Sequence, residues 1–320
     1  MLTVARLRKR PGHLYSFTGL TLEQFDQLLA EVTPIYAARE RQRKDRPGRR
    51  RAPGAGHPFA LALPERLLLT LMYLRLYVSE PLLGYLFDVH PSSINRERNL
   101  RMVPALTQVL PMPVREEWGL VRPQESQGAG RGKRIDTLEE LLRRHPEIAE
   151  VLIDATEQPL QRPKDPQARR ERYSGKKKRH TAKTQVTTTR DKRVLHASRW
   201  VPGSLHDMTL LRFSGVLHAL PASVRVARLD RGYEGAKDAY PTAPVEQPFK
   251  THRKQRLTWL GHAYNRMQAR LRIVVEHALA RLKRYRVLAE VYRGQMQRYD
   301  DCFGVVCGLQ NFRVMGRLSW

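Results

Sequence analysis

Acidic residues and cysteines are scarce in this sequence, and long apolar runs are absent. The 320 residues include 31 Asp and Glu against 58 Lys and Arg, a formal net charge of +27. Because no apolar run reaches about 18 residues and no signal-peptide core opens the chain, we expect no membrane partner and no secretion. So large a positive excess is typical of nucleic-acid binding, although ribosomal and membrane-surface proteins share it. The expected location is the cytoplasm, in association with the nucleoid.

Only two cysteines occur, Cys302 and Cys307. Their number and spacing do not fit a zinc site, so we expect reduced thiols inside a core. With 41% hydrophobic residues, the chain has enough apolar surface to form one large domain or two ordinary ones.

Three acidic residues stand next to strongly apolar segments. Asp154 directly follows the β-favouring run 151–153, and Asp230 closes a second such segment. Glu276 lies inside the helical pattern 265–285. Taken singly, each is a turn residue or a surface charge, but together the three acids suit hard divalent cations. Two such ions about 4 Å apart stabilise both oxygens of an in-line displacement at phosphorus, so the pattern predicts metal-dependent phosphoryl transfer.

The N-terminal part of the sequence predicts helices. A capping-box pattern at Thr21 begins one helix, and a strongly apolar helix follows Pro64. The segment 82–87, a turn at 88–90 and a further helix from Pro91 match the helix-turn-helix plan, with a plain three-helix bundle as the alternative. On that last helix, Ile94, Leu100 and Val103 are expected to pack inward, and the residues expected to face DNA are Ser92, Ser93, Asn95, Arg96 and Arg98.

Two further segments are dense in positive charge. The loop 39–58 is either a solvated linker or a phosphate contact. The segment 169–183 follows the first acid closely, and we expect an exposed loop or hairpin tip that DNA covers rather than a merely solvated loop. The candidate backbone contacts in and near it are Arg162, Lys176, Lys177, Lys178, Arg179 and Lys183.

The Pro/Gly-rich stretch 111–135 marks a domain boundary. We therefore predict a helical DNA-binding domain at 1–115, a linker at 116–135 and a catalytic domain at 136–320. In the last of these, strands alternate with helices around one antiparallel hairpin. This order predicts an α/β fold with a mixed, ribonuclease-H-like sheet.

The long helix that contains Glu276 carries a stripe of polar residues. Asn265, Arg272, Glu276 and Lys283 return to one helical face, because their offsets of 7, 11 and 18 fit a 3.6-residue period. Arg272 is expected to hold Glu276 or a DNA phosphate, and Lys283 to contact DNA.

Two other acids compete for the site. Glu157 lies three residues beyond Asp154, and Asp207 precedes a predicted helix. Either residue could be a metal ligand. The simpler expectations are that Asp207 caps its helix and that Glu157 faces the hairpin or DNA.

Five motifs in register identify a family. They are IDATEQP (153–159), the block 173–186, GSLHD (203–207), LDRGYEG (229–235), and Arg272-x-x-x-Glu276 followed by Leu282-Lys283. Together they resemble the insertion-sequence transposases of the DDE superfamily, specifically the insertion-sequence-five group related to the Harbinger transposases.

The resemblance implies a mechanism and a set of partners. By this resemblance, the catalytic triad consists of Asp154, Asp230 and Glu276, which bind two Mg²⁺ or Mn²⁺ ions per site. The implied activity is cleavage at terminal inverted repeats and strand transfer into target DNA, by a homodimer or higher oligomer on double-stranded DNA. The alternatives are a domesticated DNA-binding regulator, or a nuclease of the same fold that does not transpose.

Overall fold

The computed structural model of the protein describes residues 1–45, 59–115, 135–250 and 257–320. Residues 116–134 of the predicted linker (116–135) and residues 46–58 of the basic loop lie outside these ranges. The α-helices are α1 Val4–Arg8, α2 Pro11–Thr18, α3 Leu22–Lys44, α4 Leu63–Leu76, α5 Glu80–Phe87, α6 Pro91–Glu97, α7 Val103–Val109, α8 Leu138–Arg144, α9 Pro166–Arg172, α10 Asp207–Ser214, α11 Ala236–Ala239, α12 Trp259–Lys283 and α13 Tyr299–Met315. The strands are β1 Glu150–Pro159, β2 Tyr173–Ser174, β3 Arg179–Thr188, β4 Val194–Ala197, β5 Val201–Pro202, β6 Val226–Leu229 and β7 Val245–Glu246.

The first of two compact units is helical and comprises Met1–Met112 and Leu282–Trp320. The predicted capping box is present, since Thr21 and Gln24 bond reciprocally at the start of α3. α4 is buried along nearly its whole length, and α13 buries both cysteines. Such all-round apolar helices form the centre of a bundle, with the amphipathic helices around them.

α5 and α6 form the predicted helix-turn-helix pair. α5 ends at a left-handed Asp88, and α6 begins after a tight turn with Pro91 in its first turn. Gly84 permits this turn, because a Cβ atom there would lie 2.7 Å from the carbonyl oxygen of Val89. α6 then continues through a π-helical turn, Arg98–Met102, into α7.

The second unit, Pro113–Arg281, contains the sheet. The strand order is β2-β3-β1-β6-β7, with β4 and β5 also paired to β3. β1 pairs antiparallel with β3 and parallel with β6, and β6 pairs parallel with β7. The mixed α/β fold predicted from the order of strands and helices is therefore confirmed.

The unit boundaries differ from the predicted domain limits of 1–115 and 136–320. The first boundary falls near the predicted one, but residues from Leu282 onward group with the N-terminal helices. α13 packs against α7, and Gly308 allows it to approach Leu110 closely. In the described ranges, no helix is both long and apolar enough to cross a membrane.

Candidate active site

Asp154 and Asp230 occupy equivalent positions on two neighbouring parallel strands. Ile153 in β1 lies opposite Leu229 in β6, and the next residue in each case is one of the two acids. Matched positions on parallel strands direct their side chains to the same face of a sheet. The two carboxylates therefore lie at one place on the sheet, with Asp230 directly after β6. The expectation that Asp154 also ends its strand is wrong, because β1 continues to Pro159.

The environment of Asp154 disfavours its negative charge. The pKa of its carboxyl is raised to about 6, chiefly by burial and also by the charges of Asp230 and Asp207. The amide of Ala155, which donates to Asp154 Oδ1 at 2.8 Å, and the charge of Arg272 oppose the rise. The repulsion among these carboxylates is only partly compensated, so a bound cation would be stabilised among them.

Arg272 links the other two predicted catalytic residues. Its Nη1 lies 2.9 Å from Asp230 Oδ1, and its Nη2 lies 3.9 Å from Glu276 Oε1. The side chain of Glu276 is 59% exposed, against 30% for that of Asp230. The expected Arg272–Glu276 contact is thus secondary to the Arg272–Asp230 ion pair, which the sequence did not indicate.

The turn after β6 is closely packed beneath the carboxylates. Tyr233 is fully buried, and its hydroxyl has no hydrogen-bond partner in the described part of the chain. Burial raises the pKa of Tyr233 well above its ordinary value, and the charges of Asp154, Asp207 and Asp230 act in the same direction. A Cβ atom on Gly232 would lie 2.7 Å from Asp207 Oδ2, so this position leaves no room for a side chain.

A glutamine fixes the backbone of the same turn. Gln247 Nε2 donates to the carbonyl oxygens of Asp230 at 3.1 Å and Tyr233 at 2.9 Å. The position of the Asp230 backbone therefore depends on the segment that follows β7.

Two amide side chains anchor α12 to the sheet. Asn265 Nδ2 donates to the carbonyl of Phe249 at 3.0 Å, and Asn265 Oδ1 accepts from the amide of Phe249 at 2.7 Å. Gln268 is fully buried; it donates to Glu246 at 2.7 Å and accepts from Arg228 Nη1 at 2.8 Å. Arg228 lies in β6, two residues before Asp230, so the helix and the strand that carry the predicted site are joined by buried hydrogen bonds.

The donor atoms at this site fit a hard divalent cation in part. Asp154 and Asp230 supply carboxylate oxygens at one place on the sheet, the ligand type that Mg²⁺ prefers. Across residues 1–45, 59–115, 135–250 and 257–320, no three Asp, Glu, His or Cys side chains converge closely enough to hold a metal ion. Glu276 contacts Arg272 at 3.9 Å, and its side chain is mostly exposed.

The competing acids have other partners. Asp207 is the first residue of α10 rather than its N-cap, which is His206. Its Oδ1 accepts from Lys183 Nζ at 2.8 Å, so the expected capping role is wrong. Glu157 accepts from the hydroxyl of Thr181 at 2.7 Å and therefore faces the hairpin strand, as one of its interpretations held.

Four of the five residues expected to face DNA on α6 are exposed. They are Ser92, Ser93, Asn95 and Arg96. The expectation for Arg98 is corrected: it is 4% exposed, lies over the ring of Tyr73 and donates to Glu80 at 2.9 Å. Leu100, expected to pack inward, is instead 51% exposed.

The consecutive lysines form the predicted hairpin tip. Lys176, Lys177 and Lys178 lie in the turn between β2 and β3, and they are exposed, as are Arg162 and Arg179. Lys183 does not belong with them. Its side chain is buried and donates to Asp207 and to the carbonyl of Leu205, so the predicted DNA contact by Lys183 is corrected. Lys283 is half-buried at the end of α12.

Residues that shape the site but were missed in the sequence include Tyr233, Gln247, Arg228 and Gln268. Gln268 carried a usable signal, because it follows Asn265 by three residues and precedes Arg272 by four, on the same stripe. For the others no local pattern distinguishes a buried partner from an ordinary strand or turn residue.

Comparison with known proteins gives two family matches. Residues 153–311 match the family described as DDE superfamily endonuclease. Residues 59–111 match the helix-turn-helix of DDE superfamily endonuclease. The first match spans Asp154, Asp230 and Glu276, and the second spans α4 to α7.

A curated relative supports the same assignment. The chain is 32% identical over 164 residues to a probable transposase for insertion sequence element IS702 from Microchaete diplosiphon. That match covers 51% of this chain and 57% of the relative, so the chain spans little more than half the relative's length. No solved structure gives a significant match. The chain thus contains a segment that matches the DDE superfamily endonuclease domain and another that matches that superfamily's helix-turn-helix domain, and part of it is similar to a probable insertion-sequence transposase.

Proposed function

We propose that this protein is an insertion-sequence transposase that binds terminal inverted repeats and catalyses DNA cleavage and strand transfer. The observation that carries the proposal is the parallel register of β1 and β6, which brings Asp154 and Asp230 to one place on the sheet. Arg272 then connects Asp230 with α12, which carries Glu276. The similarity to a probable insertion-sequence transposase supports it.

In this proposal Asp154, Asp230 and Glu276 hold two Mg²⁺ or Mn²⁺ ions. When bound, such ions supply the positive charge that stabilises the attacking and leaving oxygens of a phosphoryl transfer. Arg272 partly neutralises Asp230 and also lies near Glu276. Tyr233 is buried in the turn after Asp230, and the lack of a side chain at Gly232 lets that turn approach Asp207 closely.

The chemistry has two displacements at phosphorus. Water attacks the phosphodiester at the end of the element, which breaks the P–O3′ bond and leaves a free 3′-hydroxyl. That hydroxyl then attacks a phosphodiester of target DNA, forming a new P–O bond as the target strand's own 3′-oxygen leaves. No covalent link between protein and DNA is required.

DNA recognition is assigned to two surfaces. The exposed side chains of α6 read the terminal repeat, with Arg96 the strongest candidate for a base contact because guanidinium groups pair well with guanine edges. The hairpin tip Lys176–Lys178, with Arg162 and Arg179, contacts the backbone near the scissile phosphate, and Arg272 and Lys283 contribute charge from α12. The expected partner is double-stranded DNA in the cytoplasm, held by at least a homodimer so that both ends of the element are paired.

The test is a cleavage and joining assay on DNA bearing the element's own ends, in Mg²⁺. Wild type should release nicked ends and joined products, whereas Asp154→Ala, Asp230→Ala and Glu276→Ala should lose both and still bind the DNA. Asp238→Ala, which removes an exposed carboxylate elsewhere in the second unit, serves as the matched control and should retain activity.

Four outcomes would contradict the proposal. Cleavage without joined products would identify a nuclease, and end binding without cleavage would identify a regulator. Near-normal cleavage in any one of the three alanine variants would remove that residue from the triad. Loss of activity in Asp207→Ala with survival of Asp230→Ala would transfer the second ligand to Asp207.

A further inference from the structure

A small cavity in the first unit lies between the C-terminal half of α3 and the π-helical turn that follows α6. Its volume is about 190 Å³. Residues that line it include Tyr36, Arg39, Glu40, Arg43, Leu100 and Arg101. Three arginines and one glutamate therefore surround a space that no mechanism above uses.

The glutamate in this lining is already paired with two of the arginines. Glu40 is 8% exposed, and its two oxygens each accept a bond of 2.9 Å from Arg43. Arg101 Nε lies 3.3 Å from the same carboxylate, and Arg101 Nη1 donates to Glu97 at 2.9 Å. The acids of the cavity wall are thus already paired with arginines, and the side chains around the space carry a net positive charge.

Arg39 takes no part in this network of hydrogen bonds and ion pairs. It lines the cavity and is half-buried, yet it makes no hydrogen bond or ion pair with any residue that the structure describes. A half-buried guanidinium is partly desolvated, and an anion beside it would stabilise its charge. Arg43 and Arg101 are paired with Glu40 and Glu97, so Arg39 is the arginine of this lining that has no acidic partner among the described residues.

The π-helical turn explains why the cavity lies where it does. An extra residue in that turn changes the direction of the side chains after Arg98. Leu100 consequently faces solvent at the cavity wall, and Arg101 reaches across to Glu40 on α3. The same continuous helix begins with the exposed residues of α6, so the cavity lies alongside the predicted DNA-reading helix.

We propose that this cavity binds one phosphate group of the DNA backbone, with Arg39 as the main ligand and Arg43 and Arg101 beside it. This inference rests on the proposed function of the helix-turn-helix. The cavity is smaller than the roughly 300–1,000 Å³ of sites for drug-sized ligands, which favours a single phosphate over a whole nucleotide. Phosphate contacts of this kind set the orientation of a helix in the groove without reading sequence.

The test measures the salt dependence of binding by the full chain to terminal-repeat DNA. Arg39→Gln should lower the slope of log K against log salt by about 0.9, the value for one phosphate contact. Its preference for terminal over scrambled DNA should stay unchanged. Arg41→Gln is the matched control, because Arg41 lies on the same helix, is exposed and is outside the cavity lining; its slope should equal that of wild type.

The experiment distinguishes a failure of the proposed function from a failure of the phosphate site. If wild type shows no preference for terminal DNA, the proposed function itself fails. If that preference is present but Arg39→Gln keeps the wild-type salt slope, the phosphate site is overturned. It is also overturned if Arg41→Gln lowers the salt slope as much as Arg39→Gln does. A rise in Tm with inorganic phosphate alone that Arg39→Gln lacks, combined with an unchanged DNA slope, would assign the cavity to a free anion and overturn the DNA assignment. Equal Tm values without phosphate would show that Arg39→Gln folds normally.

Discussion

Asn265 forms two hydrogen bonds with the backbone of one residue, Phe249. The side-chain amide accepts from its N–H and donates to its carbonyl, as the backbone of a neighbouring strand would. The carbonyl of Phe249 accepts at 3.0 Å and its amide donates at 2.7 Å. Asn265 lies on the same face of α12 as Arg272 and Glu276, nearer the start of the helix. The register of α12 against the sheet, and with it the position of Glu276, therefore depends on this pair.

Asn265→Ala should lower the cleavage rate more than it lowers DNA affinity. A displacement of about 1 Å in a catalytic group costs up to roughly a hundredfold in rate, whereas the DNA-binding surfaces stay in place. Single-turnover cleavage and Kd for the same DNA separate the two effects.

Met267→Ala is the control on the same helix, since Met267 is 46% exposed. Asn265→Asp keeps the acceptor and loses the donor, so it should rescue cleavage only in part. An equal loss in rate and affinity for Asn265→Ala would show that Asn265 supports folding and has no positioning role.

Asp154→Asn should stabilise the fold at neutral pH. The folded-state pKa of about 6 lies above the ordinary value of 3.8, so ionised Asp154 opposes folding. The penalty is fully present above about pH 6 and disappears as pH falls toward 3.8. Removing the charge should therefore raise the free energy of unfolding by about 1–3 kcal/mol at pH 7.5 and by less at pH 5.

Urea unfolding of both proteins at the two pH values measures this gain. Asp238→Asn changes the net charge by the same amount at an exposed position and reports the effect of net charge alone. A gain of equal size at both pH values would disprove the electrostatic origin.

Changing Lys176, Lys177 and Lys178 together to Ala should weaken DNA binding without altering sequence preference. All three are exposed at the hairpin tip, and each lost phosphate contact should reduce the salt slope by about 0.9. Titration of terminal and scrambled DNA across a salt series gives both quantities. A wild-type slope with unimpaired cleavage would mean that the tip is only solvated.

Gly203→Ala should destabilise the second unit. A Cβ atom at this position would lie 1.9 Å from the hydroxyl of Thr181, which itself donates to Glu157. Overpacking of this kind costs about 1–3 kcal/mol. Gly175→Ala is the matched control, because nothing lies within 4 Å of a Cβ atom there. Thermal unfolding should show a lower Tm for the first variant alone, and equal Tm values would contradict the packing argument.

Local chemistry in the sequence was sufficient to indicate the main elements. The apolar run before Asp154 indicated a buried strand, but that strand continues past the acid to Pro159, where it pairs with β3. The capping box at Thr21 and the turn residues before Pro91 fixed helix starts in the same way. These features depend on neighbours within a few residues, so a single sequence reveals them.

Whether an individual charged side chain is buried or exposed depends on residues far away along the chain. Arg98 and Lys183 both looked like DNA contacts beside other basic residues, yet Glu80 and Asp207 bind them inside the fold. A buried charge loses its hydration, and an ion-pair partner is needed to offset that cost. No local sequence pattern shows whether such a partner will be within reach. Short-range pattern thus indicated the elements and the two acids that follow apolar runs, whereas long-range packing set the length of β1 and which charges are internal, because burial is a property of the packed chain.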